Sequence, residues 1–455
     1  MRPSTAAHRP QSIPRSCKHV LSSALLAGIF VVAPSSQALA MTTAPPARDQ
    51  LVYDHAVQTS TGSWTLLERL VNLDSGTFNA KGLDAVGAIV TDELKRLGAQ
   101  VETVAATYLA TSPATSPAIS PGSVAGTPPR PVRSDNIVAT FLGTGKARIL
   151  LMAHTDTVHA DGTAAARPFQ IRDGRAYGPG VLDDKGSLVV GLQALEILKQ
   201  VGFTDYARIT LLVNTNEETG STGSRALIEK LAREHDVVLN LEPGRPDDGL
   251  VIWRKGSGSV EVEVTGRTAH AGVAPGQGRN ALTELSHQIL QLGTLGDDQK
   301  QTSIHFTVAS AGDRKNVIPD RAVAWADVRV TAADEFDRIE KDLARVSQNR
   351  RVPDTVVKTT LRRGFPPMPQ NPQTDALAAR AQAIYAELGR QLTLGGTGGA
   401  SDASLSGSVG TASLDSFGLV GDGAHTDGEF VEVDSLVPRV YLLTRMIMEL
   451  GAASR

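Results

Sequence analysis

The chain has 455 residues, 41% hydrophobic and 20% charged, the composition of a soluble globular protein long enough for two domains. Its one cysteine, Cys17, falls in an N-terminal segment read below as removable, which leaves neither a disulfide nor thiolate chemistry for the remainder. Setting aside the four cations of that segment leaves 41 Lys and Arg against 48 Asp and Glu, which argues against a nucleic-acid or anionic-membrane surface and for a small-molecule partner.

Residues 1–40 carry Arg2, Arg9, Arg15 and Lys18 without an acid, then the apolar run Val20 to Ala33, then Ala38-Leu39-Ala40. This order predicts a secretory signal cleaved near Ala40 and a periplasmic or secreted mature protein. The 14-residue run falls short of the ~20 apolar residues that span a bilayer, so no membrane contact is expected after cleavage; Met41 as the true start is the other reading.

Residues 41–253 read as the first part of an α/β catalytic domain. Between Ala105 and Ser134, Ala, Ser, Thr and Pro dominate, and Thr111-Ser112-Pro113 is echoed by Thr115-Ser116-Pro117, predicting a mobile surface loop. Ile149 to Met152, Ile209 to Val213 and Val237 to Leu241 read as strands, with Leu188 to Leu198 and Ser224 to Leu231 as helices. That alternation predicts a mostly parallel sheet with helices on its faces.

After Trp253 the texture changes. Val260, Val262 and Val264 alternate with polar residues as a strand with one wet face, followed by a helix from Ala281 to Leu292 and strands near Ile304 to Val308 and Val323 to Val330. Phe336, Ile339, Leu343 and Val346 mark a second helix, and Thr355 to Leu361 a last strand. The order β-α-β-β-α-β predicts a ferredoxin-like α+β insertion over residues 254–364, after which residues 365–455 complete the first domain.

The potential ligands cluster at strand ends. His154, Glu217-Glu218 and Glu242 each follow an apolar strand, and Asp183-Asp184 sits in the glycine-rich turn Tyr177 to Gly186; in open α/β sheets the ligand crevice lies at the carboxyl ends of the strands. His154 and Asp156, two apart on extended chain, point the same way, so Asp156 is placed to hold the far imidazole nitrogen. Two adjacent acids in a tight turn are costly to bury without a cation. In Glu217-Glu218 one carboxylate is suited to ligate and the other to shuttle a proton. Taken singly, each pattern also fits a hydrated turn or a helix cap, and Glu242 before Pro243 or His425 in Gly423 to Asp427 says little alone. There is no His-Glu-x-x-His helix, phosphate loop or G-x-S-x-G elbow.

As an ordered set, however, these segments resemble the M20 family of dinuclear zinc peptidases, most of all its bacterial glutamate carboxypeptidases of the carboxypeptidase G type. The resemblance runs through His154-Thr155-Asp156, Gly178 to Gly186, Asn214 to Gly220, Glu242-Pro243, Ala269-His270-Ala271-Gly272 and Gly423 to Asp427. It implies a zinc-peptidase-type catalytic domain with an inserted lid and dimerisation domain, and two Zn2+ per subunit. Asp183 would bridge the metals, with His154 and Glu242 on one and Glu218 and His425 on the other; Glu217 would be the general base, and the Asp183–Asp184 peptide would be cis. It further implies a homodimer in which His270 serves the partner's active site, and a substrate carboxylate held by Asn316, Arg329, Thr397 and Ala400. The expected activity is hydrolysis of the amide bond to a C-terminal amino acid, glutamate first, from an N-acyl or folate-like substrate. Two departures bear on that specificity: Phe365 stands where a second arginine is expected, and Gly249 where a lysine is. Loss of basic groups weakens a grip on a dicarboxylate, and Phe365 could favour an apolar leaving residue. The other readings are an N-acyl amino acid deacylase or dipeptidase of the same family, and a non-catalytic binding protein on the same scaffold.

Overall fold

The computed structural model describes residues 47–109 and 131–453. The signal reading at residues 1–40 therefore lies outside the described residues, and among those described no helix is long and apolar enough to cross a membrane.

Three strands that are buried almost throughout, Arg148–His154, Arg208–Asn214 and Val237–Asn240, form the parallel centre of a six-stranded sheet. Ala412–Leu414 adds a further parallel strand beside Val237–Asn240, and Pro131–Leu142 and then Gln100–Leu109 extend the other side antiparallel. Both faces of the centre are covered, which is why its strands read as continuous apolar runs rather than alternating ones. Helix Lys185–Gln200 is buried along most of its length, packed under Gln50–Val71 and Leu436–Ala453.

The expected loop over 105–134 is narrower than its composition suggests. Residues up to Leu109 and from Pro131 pair as an antiparallel ladder from Gln100↔Thr140 to Leu109↔Pro131, and residues 110–130 between them lie outside the described part. Pro131 begins its strand, a position where the missing N–H costs no ladder bond.

Residues 256–363 build a second sheet, antiparallel throughout, in the order Ser303–Ala311, Arg321–Val330, Gly256–Thr265, Val356–Arg363. Helices Ala281–Leu292 and Asp334–Val346 pack on it and close a separate core that includes Val260, Val262, Val264, Leu285, Val328, Ile339 and Leu343. The opposite face is polar, crossed by Glu263–Lys358 and Glu261–Arg362 pairs at 3.1 Å each. Where the chain enters and leaves, Ser257 and Phe365 share a backbone hydrogen bond of 2.9 Å, and a Cβ on Gly256 would lie 2.7 Å from Pro367 N, so only glycine lets the crossing strands approach.

Candidate metal centre

The carboxyl ends of the central strands carry the site. Arg148–His154 ends on His154, Arg208–Asn214 runs into the turn Glu217–Thr219, and Val237–Asn240 leads to Glu242. Asp183 comes from the turn before helix Lys185–Gln200, and its bond to Asp184 is cis. His425, at φ 65°, comes from the loop after Gly421–Asp422.

Asp183 stands between two clusters: its Oδ1 is 3.0 Å from His154 Nε2, and its Oδ2 is 3.1 Å from His425 Nε2. On the first side Glu242 Oε1 lies 3.9 Å from His154 Nε2; on the second, Glu218 Oε2 lies 3.3 Å from His425 Nε2. His154, Asp183 and Glu242 thus offer one set of three converging ligand atoms, and Asp183, Glu218 and His425 another.

Asp156 does what its spacing suggests and more. His154 Nδ1 faces the Asp156 carbonyl oxygen at 3.0 Å and its Oδ1 at 3.3 Å, two acceptors that place the ring hydrogen on Nδ1 and leave the Nε2 lone pair facing Asp183. The same carboxylate accepts from Glu217 N at 3.0 Å, Glu218 N at 3.1 Å and Thr77 Oγ1 at 2.8 Å, so it also fixes the turn that carries both glutamates. Beneath that turn lies a buried polar network absent from the sequence reading. Asp402 accepts from Asn214 Nδ2 at 2.7 Å and from Ser221 Oγ, while Asn216 bonds Asn214 and Ser224.

The electrostatics ask for cations. Burial pushes the Glu217 and Glu242 carboxyls well above their ordinary range, reinforced by Glu242 at the first and Asp183 at the second. Burial, with Asp183 beside it, pushes Glu218 up to about 7. Hydrogen bonds to Asp183 and Glu218 push His425 up to about 10. Burial opposes ionisation of Asp183, but His154 and His425 outweigh it and hold that carboxyl below its usual range. Glu218 Oε1 is buried and, among the described residues, has no hydrogen-bond partner. An orphaned oxygen beside crowded acids suits divalent cations bound by imidazole and carboxylate, the zinc type of donor set, and metal binding would displace these protons. Glu217 is 9% exposed, and its carboxylate, among the described residues, makes no hydrogen bond or ion pair.

The residues expected to hold substrate divide into two places. Arg329 donates to Gly398 O at 3.1 Å and holds Asp327 with two bonds of 2.9 and 3.0 Å, which sets it against the loop carrying Thr397 and Ala400. Ala400 packs on the apolar cluster that includes Leu150, Leu405 and Phe365. Phe365 is 7% exposed there, with the Arg225 guanidinium 5.3 Å above its ring, so its apolar surface goes to the core rather than to a leaving group. Gly249 begins a strand beside Thr393, where a Cβ would lie 2.2 Å from Thr393 Oγ1, so a lysine there would have to displace the Thr393 hydroxyl. His270 and Asn316 lie together at a separate two-stranded antiparallel ladder, where His270 pairs with Val317 and Ala271 N donates to Asn316 O at 2.8 Å. His270 Nδ1 accepts from Gly272 N and Val273 N at 3.2 and 3.1 Å, leaving the hydrogen on Nε2. Among the described residues, no hydrogen bond or ion pair joins His270 or Asn316 to the ligand cluster.

Residues 150–449 match the sequence profile of peptidase family M20/M25/M40. The chain belongs to this family. Carboxypeptidase G2 of Pseudomonas sp. (strain RS-16) is 37% identical over 408 residues, covering 89% of this chain and 93% of that protein. The succinyl-diaminopimelate desuccinylase of Gluconacetobacter diazotrophicus is 29% identical over 323 residues, 68% of this chain and 82% of that one. Among solved structures, a tripeptidase from Staphylococcus aureus superposes with a TM-score of 0.70 at 20% identity, covering 86% of this chain and 99% of that chain, which shows a shared fold. As an M20 family member the protein is a metal-dependent hydrolase of the metallopeptidase class.

Proposed function

We propose that the protein is a two-zinc metallocarboxypeptidase that hydrolyses the amide bond linking an acyl group to a C-terminal amino acid, glutamate first. The observation that carries this is the double engagement of Asp183, one oxygen toward His154 and the other toward His425, with Glu217 left free beside them. His154, Asp183 and Glu242 would hold one ion, and Asp183, Glu218 and His425 the other. Zinc bound there would polarise the scissile carbonyl and make water a better nucleophile at neutral pH. Glu217 takes the proton of the attacking water and returns it to the leaving nitrogen, a task its uncommitted carboxylate suits. Arg329, held planar by Asp327, offers its guanidinium to the substrate carboxylate beside Thr397 and Ala400. The inserted sheet is read as a ferredoxin-like lid that pairs two subunits, from which His270 donates Nε2–H to the developing oxyanion of a partner's site, with Asn316 beside it. Preference for glutamate rests on similarity to carboxypeptidase G2.

A second reading, release of a different residue as in an N-acyl amino acid deacylase, is favoured by Gly249 and Phe365 standing where basic groups are expected. A panel of N-acyl-glutamate and N-acyl-phenylalanine on zinc-replete protein, assayed for the free amino acid, separates the two. Glutamate release several-fold or more above phenylalanine supports the first, and the reverse ratio supports the second. Exhaustive chelation abolishes either activity and added zinc restores it; hydrolysis indifferent to chelation would sink both.

A further inference from the structure

Glu429 has no part in the roles above, yet it sits four residues beyond His425 and is only 2% exposed. Its Oε2 accepts from Gly180 N at 2.9 Å and faces His159 Nε2 at 2.8 Å; its Oε1 accepts from Leu182 N at 2.9 Å and Asp183 N at 3.0 Å. Three backbone N–H groups from one short turn thus converge on one carboxylate, the concave arrangement that backbone amides form around an anion. Arg167 Nη2 lies 3.4 Å from His159 Nδ1, so Nδ1 accepts and the ring hydrogen on Nε2 points at Glu429. Arg167 also donates to Thr426 O at 3.4 Å and pairs with Asp427 at 3.2 Å. The chain Arg167–His159–Glu429 therefore binds the segment 425–429 to the segment 180–183.

Those two segments carry His425 and Asp183, ligands of the same cluster that come from loops far apart in sequence. Loops held only by the metal would have to be ordered by it, and the ordering cost would come out of metal affinity. We propose that Glu429 is a positioning residue that sets the spacing of Asp183 and His425 before a metal arrives, with His159 and Arg167 as its supports. Glu429 touches neither substrate nor metal in this role. The inference rests on the two-metal reading, and the measurement below separates the failure of one from the failure of the other.

Zinc affinity is measured by competition with a chromophoric chelator on wild type, Glu429→Gln and Arg167→Gln, together with thermal melting of each chelator-stripped protein. Glu429→Gln keeps the volume but turns an amide NH2 toward a backbone N–H or His159. Its affinity for zinc at the Asp183–Glu218–His425 cluster falls by about 10–100-fold, the range for lost outer partners of metal ligands. The zinc concentration for half-maximal activity rises in step, while kcat at saturating zinc returns close to wild type because the reacting groups are intact. Arg167→Gln, a change at a partly exposed site, moves affinity the same way by less, and it decides the matter if Glu429→Gln does not fold. Wild type binding two zinc ions while the folded variants bind both with unchanged affinity overturns the inference. Wild type binding none overturns the two-metal reading beneath it.

Discussion

Glu217 and Glu218 are neighbours in the chain with opposite surroundings. Glu218 reaches His425 at 3.3 Å, whereas Glu217 is the more buried residue and its carboxylate is uncommitted among the described residues. Replacing Glu217 with Gln removes a proton acceptor and no ligand, so metal content measured by elemental analysis stays at the wild-type ratio. Turnover falls by about 10²–10⁴-fold, the usual loss when a general base is removed. Turnover within a few-fold of wild type rejects the role. That two adjacent acids at a strand end divide between ligation and proton transfer is what the sequence suggests, and the Glu217 variant is its test. Glu429 was not legible, since three of its four partners are backbone N–H groups of residues 180–183, and no side chain announces them. The one available signal was an acid shortly after a histidine expected to ligate metal.

At the scale of elements, reading strands from apolar runs stops them short of the site. The Ile149 to Met152 run extends to Arg148–His154, and Ile209 to Val213 to Arg208–Asn214, because the residues that end each run are the buried polar ones the site uses. The hairpin strand Gln100–Leu109 was not read as a strand at all, and its second half was assigned to a loop for a different reason. Ala105, Ala106 and Thr107 look like loop composition, and their pairing with Arg133 to Asp135 is set by a strand that begins beyond residue 130. The elements beside the site are joined by a buried charge pair. Arg254, at the end of strand Gly249–Arg254, donates Nε to Asp415 Oδ2 at 2.5 Å, and Asp415 also accepts from Ser401 Oγ at 2.8 Å, where helix Asp402–Ser408 starts. Arg254→Leu leaves the Asp415 carboxylate buried without its cation, which costs about 3–5 kcal/mol when a buried pair loses one member. Urea titration of the metal-free protein reads that loss; a change below ~1 kcal/mol, the ceiling for exposed pairs, shows that the pair contributes no more than a surface one.

For the whole molecule, the proposed role of His270 has to be reconciled with a two-stranded ladder whose hydrogen bonds and pairings stay within the inserted unit. If it serves its own subunit, His270→Ala and Glu217→Gln each damage the site that carries them, and mixing the two proteins restores nothing. If it serves the partner, each variant dimer is inactive, but a mixed dimer holds one site in which Glu217 of one subunit and His270 of the other are both intact. Random exchange makes half the dimers mixed, so an equimolar mixture recovers roughly a quarter of wild-type activity for an isologous two-fold pair. The protein is subjected to dilution and reconcentration so that subunits exchange, and activity is followed against an unmixed control. Recovery requires both a dimer and a lid that reaches across it, since monomers or independent sites give none. Sedimentation of the His270→Ala protein then assigns a negative result: a dimer without recovery removes His270 from the partner's site, and a monomer removes the dimer itself.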